Sequence, residues 1–457
     1  MEELILHQGR KYEFNGAAEF SAESVIVETD CQEGMVFHAE SEAQPAVIHF
    51  PDDTSIPGLA AQNIHVRTGN IIAHPGLDNG NNEGIEFEEG SGRTLYWVGG
   101  QGRWDDSDHW SFESGGDEGA CPPGPFDDVI FDQNSFMTAD DMIKISQNQL
   151  FTCHNFTWRS DALAHTILIN DNHLQLNGSI TLEQKLETNY GSITFTSSKE
   201  EIHHFHQTYF DRFLWTGIGI HHFADDVEVA RINYYSGKFN IEQSVLSVRE
   251  ITVENSISHP ITLNDGIIRF IDGSYTNSLN IHYSGDQKIF ENIGEGYVEF
   301  LGKENEIIAR GGGGLRKVFI RNPSSNNTFQ SYKREGQIQA TYLEITGNNT
   351  FQDHWETDTL IVHPGHYLSF GNNAHVKVNQ YHQYLGNNCL TSIWRDTGSG
   401  NSVNFEVGNE TEILQDHIQM EGIRASGPDV LDAGPYSRDL GSNSGWFFEE
   451  KEPGTGR

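Results

Sequence analysis

Two groups of residues have the types and spacing to hold a metal ion. Asp127, Asp128, Asp132 and Asn134 offer hard oxygens in one short stretch, and calcium takes about six to eight such ligands. If the stretch is a strand, Asp128 and Asp132 share one face and Val129 and Phe131 the other. The spacing departs from the EF-hand pattern, so turn formation by solvent-facing carboxylates is the competing role. Asp105, Asp106 and Asp108 form a second, sparser oxygen cluster. His203, His204 and His206 lie about one coil before His221 and His222, and stacked imidazoles would suit zinc, copper or nickel. A strand, however, sends His203 and His204 to opposite faces, which favours ordinary polar side chains. Gly311-Gly312-Gly313-Gly314 lacks the Lys-Ser/Thr of a phosphate loop, and no G-x-S-x-G nucleophile signature occurs.

The elements that must position these residues are short strands. Leu174–Leu182, Gly191–Phe195, Ile267–Ile271 and Val403–Val407 alternate polar and apolar residues, the period of a strand with one dry face. Leu95–Phe136 differs: Trp97, Trp104 and Trp110 are interleaved with glycine and acidic residues, then a Cys-Pro-Pro-Gly-Pro turn leads into Asp127–Asp132. Large aromatics in that setting are expected to seal the open end of a strand stack.

Internal repetition sets the architecture. Leu4–Gly16 (LILHQGRKYEFNG) returns as Leu360–Asn372 (LIVHPGHYLSFGN), Cys31 as Cys389, and Asn81–Glu89 as Ser442–Glu450. Residues 1–90 therefore read as the C-terminal coils of one unit, 91–136 as the Trp-rich cap and linker of the next, 137–450 as its parallel β-helix, and 451–457 as a linker. A finer period appears where Asn326-Asn327-Thr328-Phe329 recurs as Asn348-Asn349-Thr350-Phe351, with Gly371-Asn372-Asn373 following. Strand repeats of this length with Asn-rich turns belong to β-solenoids, and Asn at one corner of each coil can build a hydrogen-bonded ladder. The expected fold is all-β: a right-handed parallel β-helix with a Trp-rich N-terminal cap, in tandem units.

Composition narrows the partners. Against 28 Lys and Arg stand 66 Asp and Glu, a formal net charge of −38, which excludes nucleic acid and anionic membranes as general electrostatic partners. No stretch has the apolar length of a membrane span. Met1-Glu2-Glu3 runs straight into a strand-like Leu4-Ile5-Leu6, so the expectation is a piece of a longer chain, or export by a signal lying elsewhere. The four cysteines, Cys31, Cys121, Cys153 and Cys389, show no zinc spacing. Cys121 and Cys153 flank the cap and its strand and are the expected disulfide pair under oxidising conditions.

The cap pattern Tyr96-Trp97-Val98-Gly99-Gly100, Gly102-x-Trp104, His109-Trp110-Ser111, then Asp127–Phe136, together with the ending Gly441-Ser-Asn-Ser-Gly-Trp446-Phe447-Phe448, resembles the repeated module of giant Bacteroidetes cell-surface adhesins, the gliding-adhesin-like proteins exported by type IX secretion. The resemblance implies a β-helix module of an extracellular stalk or adhesin, with Trp97, Trp104, Trp110 and Trp446 as structural cap residues. The expected partners are extracellular polysaccharide or solid surfaces and neighbouring repeat units. No cofactor is required; calcium at Asp127, Asp128, Asp132 and Asn134 is the one candidate ion. The alternatives are a polysaccharide lyase or hydrolase on a β-helix scaffold, or a passive spacer. Tandem repetition favours adhesin or spacer over enzyme.

Overall fold

The computed structural model describes the chain except residues 1, 16, 29–33, 40–43, 89, 91, 146–150, 165, 169–172, 190, 254–260, 272–276, 282–289, 292–293, 310–312, 332–337, 372–373, 388, 399–402 and 450–457. It is a parallel β-solenoid of about 17 turns. Helix among the described residues is confined to the single 3-10 turn Ser107–His109. The second Asn repeat's continuation at Asn372-Asn373 lies outside the described residues, as do Cys31, Glu450 and two of the four glycines at 311–314.

Alternation makes each coil. In Val245–Val253, for example, the even positions Leu246 and Val248 are fully buried, and after a local change of phase Ile251 and Val253 follow. Inward residues stack on their counterparts one coil away, so apolar area is removed from water continuously along the axis. The chain forms two compact units, residues 1–246 with 256–259 and residues 247–255 with 260–457. The first therefore contains both residues 1–90 and the cap with its following coils.

In the first unit, the described residues among 2–87 form one stack. Strands Lys11–Phe14, Met35–Ala39, Leu59–Gln62 and Gly76–Asp78 pair in parallel as one of its sheets. A core of Phe37, Ile48, Phe50, Leu59 and Ile71 fills its interior. The second stack starts at Thr94–Trp97. That strand pairs in parallel with Asp128–Phe131, while Trp110–Ser111 runs antiparallel along its other edge. Strands Thr152–Cys153, His173–Leu176, Ser192–Phe195, Tyr209–Trp215 and Val227–Tyr234 continue this stack in register.

In the second unit, successive coils from Ile267–Phe270 to Arg438–Asp439 pair in parallel. The Asn repeat falls into register residue for residue: Asn326 opposite Asn348, Asn327 opposite Asn349, Phe329 opposite Phe351. The expected ladder is present. Asn305 Nδ2 donates to Asn327 Oδ1 at 2.7 Å, and Asn327 Nδ2 donates to Asn349 Oδ1 at 2.9 Å. All three are buried, so each amide satisfies a group that would otherwise be stranded without water. The ladder ends where Leu368 takes the place opposite Asn349.

Candidate binding surfaces

The cap tryptophans are packed on one another. Trp97, Trp104 and Trp110 are at most 1% exposed. Trp110 meets Trp97 edge-on at 5.1 Å and Trp104 at 4.8 Å between ring centroids, the T-shaped arrangement that ring quadrupoles favour. Trp97 Nε1 donates to Gly100 O and Trp110 Nε1 to Trp104 O, each at 2.7 Å. Phe131 and Trp158 extend the cluster into the next coils. Trp446 is only partly buried; its Nε1 donates to Ile423 O at 3.1 Å and its ring leans on Phe405.

The oxygen cluster is distributed among protein donors. Asp127, 4% exposed, accepts from Arg93 at Oδ2 (2.6 Å) and from the Gly124 amide (2.8 Å). Asp128 accepts from Asn155 and faces His154 Nδ1 at 3.0 Å. Burial opposes its charge, but His154 and Asn155 outweigh that and hold its carboxyl below the ordinary value. Asp132 Oδ1 accepts from the Asn134 amide at 3.0 Å, and Asn134 Nδ2 donates to Ser114 Oγ at 2.9 Å. Among the described residues, no three His, Cys, Asp or Glu side chains are grouped so as to hold a metal ion.

The expected Cys121–Cys153 disulfide does not form. Cys153 is a free thiol, fully buried, paired with Leu176 in the strand ladder. Cys121 is disulfide-bonded, but not to Cys153. Chain proximity suggested the pair, but strand alternation turns Cys153 into the core, where burial also raises its pKa well above the ordinary value.

The histidines divide by strand parity. His203 and His221 are fully buried, stacked at 5.2 Å, with His203 Nε2 and His221 Nδ1 2.9 Å apart. The Ile180 amide donates to His203 Nδ1 at 3.3 Å, so the proton sits on His203 Nε2, which donates to His221. Burial keeps this pair neutral: desolvation and then the charge of His221 push His203 well below 6.5, and desolvation brings His221 to about 3. On the outer face, His222 bridges Glu200 and Glu242 at 3.0 Å each. The interior pair escaped sequence reasoning because histidine is seldom found in a dry core; the parity of His203 and His221 against Phe195 and Phe205 is the signal that marks it.

Three surfaces stand out. At a coil corner of the first unit, a cavity of about 540 Å³ is lined by Lys185, His206, Gln207, Asp225, Asp226 and Gln243, among others. Its carboxylates are engaged by backbone: Asp225 accepts from the Phe205 and His206 amides, Asp226 from that of Val245.

The second surface is a junction within the first unit. Outward residues of the 2–87 stack, Val36, Ala60, His38 and Gln62, are at most 4% exposed, because this sheet packs on the coils following the cap. Asn79 Nδ2 donates to Asn177 Oδ1 at 2.8 Å, Ser198 Oγ to Asp78 O at 2.6 Å, and Gln62 to Thr216 O. Asn177 in turn donates to Thr152 and accepts from Thr196. Burial pushes His38 down to about 3.

The third surface is on the second unit, where outward side chains form files across successive coils. Tyr342 lies opposite Lys317 and Thr359, and Thr359 opposite Tyr381. The neighbouring file runs Glu299, Phe319, Glu344, Ile361, Gln383. Set against family models, curated proteins and solved structures, the chain matches none of them.

Proposed function

We propose that the chain is a repeat module of a large extracellular surface protein, serving as stalk and adhesive face, and contacting glycans or solid surfaces without catalysis. The observation that carries this reading is the recurrence of one coil ladder at both ends of the chain. Lys11, Val36, Ala60 and Leu77 stack in the same way as Tyr367, Ile393, Gln419 and Arg438. Stability that adds coil by coil lets such units be repeated into a long arm. The flat outward files present periodic hydroxyl, amide and ring groups, suited to polymers that are themselves periodic. The cap's resemblance to the gliding-adhesin-like proteins of Bacteroidetes supports an extracellular, type IX-exported setting. No helix among the described residues is long and apolar enough to cross a membrane.

The test is incubation of the chain with plant, algal and animal polysaccharides, first with calcium and then with chelator. Retention and release of new chain ends are both scored. Retention without cleavage is expected. New chain ends that vanish in Asp226→Asn would instead make the corner cavity a lyase or hydrolase site. Loss of retention in chelator would add calcium to the contact, and no retention on any polymer would leave a spacer.

A further inference from the structure

The outward face of the second unit repeats a short pattern at every second coil. Tyr297-Val298-Glu299, Tyr342-Leu343-Glu344 and Tyr381-His382-Gln383 are each Tyr-x-Glu/Gln, and each places its tyrosine and its acid or amide on the same outward face, with Val298, Leu343 and His382 buried between. The intervening coils carry Lys317-x-Phe319 and Thr359-x-Ile361. Parallel strands lie about 4.8 Å apart, so the tyrosines recur at about 9.5 Å along the stack.

The pattern is held in place. Tyr342 Oη donates to Glu344 Oε2 at 2.8 Å, and Tyr381 Oη donates to Gln383 Oε1 at 2.6 Å. Each bond runs along one strand and fixes the ring in its direction. Phe319 joins the ridge, 5.0 Å from Tyr297 and 5.4 Å from Tyr342 between centroids, and the Arg321 guanidinium covers Phe319 at 4.4 Å. Burial and then the bond to Glu344 push the Tyr342 hydroxyl up to about 12, so it stays protonated. The rings are partly exposed rather than buried, and such half-covered aromatic ridges are uncommon on a surface without a role.

The charges beside the ridge are matched locally. Glu299 pairs with Arg269 at 2.6 Å and Arg321 at 3.1 Å, Glu344 with His363 at 2.8 Å, and Lys317 with Glu295. With the chain at −38 overall, a polyanion is repelled and a polycation finds no acidic groove here; a neutral ligand fits. The ligand must also be flat, hydroxyl-rich and periodic at two coils. A β-1,4-linked hexopyranose chain has these properties: successive rings are turned over, so the same apolar ring face returns once per disaccharide, close to the tyrosine spacing.

Resting on the adhesive reading above, we propose that the ridge Tyr297–Phe319–Tyr342–Tyr381 is a binding platform for a neutral, extended β-1,4-linked glycan running along the coil axis. Tyr297, Tyr342 and Tyr381 stack on alternate sugar rings, and Glu344, Gln383 and Arg321 bond the hydroxyls at the ring edges.

Calorimetry of the whole chain with cellohexaose, and with α-linked maltohexaose, tests this. Binding of cellohexaose in preference to maltohexaose is expected, with affinity falling roughly tenfold or more in Tyr342→Ala/Tyr381→Ala and unchanged in Tyr367→Ala. The variants' melting curves and near-ultraviolet circular dichroism establish that the coils remain intact. Cellohexaose binding that survives the double substitution would overturn the platform while leaving the adhesive reading standing, as would preference for maltohexaose. If cellohexaose fails to bind while the chain still retains other polysaccharides, the platform alone falls. If no glycan is retained at all, both fall.

Discussion

The ladder Lys11–Val36–Ala60–Leu77 in the first unit and the ladder Tyr367–Ile393–Gln419–Arg438 in the second have one register and one inward pattern, yet their outward faces meet opposite fates. In the first, Val36 and Ala60 are at most 1% exposed, and His38 and Gln62 beside them are buried. In the second, their counterparts Ile393 and Gln419 are partly exposed, and the positions matching His38 and Gln62 are Arg395 and Glu421, an exposed ion pair at 2.8 Å. Small apolar and neutral polar residues tolerate close packing, whereas an Arg–Glu pair would lose its hydration there. A solenoid's inward code is thus conserved between repeats while its outward code is rewritten for each neighbour.

The largest expected contrast is a buried charge. Val36→Glu should destabilise the chain by about 3–5 kcal/mol, because the carboxylate is trapped in the junction, whereas Ile393→Glu should stay within about 1 kcal/mol. Urea unfolding of both variants measures the difference, and equal losses would break the comparison.

Acid should come next. His38 and His221, each held near 3, and His203, held well below its ordinary 6.5, lie in the first unit. In the second, burial brings His382 to about 4. A base whose folded pKa is depressed binds fewer protons folded than unfolded. Its contribution is complete above about 6.5 and is lost as pH falls from there toward the folded value. Hydrogen exchange followed from neutral pH to about pH 4 should therefore show residues 1–246 losing protection before 260–457. His203→Phe/His221→Phe should shrink that gap.

A smaller effect separates two matching glycines. Gly80 and Gly441 both have positive φ, 103° and 115°. A Cβ on Gly80 would strike the Ile218 side chain, while one on Gly441 meets nothing within 4 Å. Gly80→Ala should cost about 1–3 kcal/mol from strain plus overpacking, and Gly441→Ala about 1 kcal/mol from backbone strain alone. Thermal melting distinguishes them. Smallest of all, Arg395→Ala should change stability by about 0–1 kcal/mol, since its ion pair is exposed and screened; measurable loss beyond that would mean this face is covered.

The coil's interior was legible before the structure; the candidate surface was not. The Asn ladder followed from the recurrence of Asn-Asn-Thr-Phe, because a stacked coil brings identical positions one strand apart. The Tyr-x-Glu/Gln ridge did not, although its residues are plain in the sequence: its coils vary in length, so tyrosines at 297, 342 and 381 show no fixed spacing along the chain. Strand parity already set His203 and His204 on opposite faces, but only the folded coil shows that His203 and His221 take the dry one.

By itself, the sequence determined the coil: alternation with period two, Asn and Gly at the turns, and repetition that stacks like on like. These are local preferences, and each coil restates them. Tertiary structure alone decided which outward face is covered, which cysteines are free, and which side chains line up into a ridge. Those outcomes depend on contacts such as Asn79 with Asn177 or Ser198 with Asp78, 98 and 120 residues apart. Burial that arises between distant segments leaves no period in the chain, since the same outward position is solvated in one repeat and dry in another.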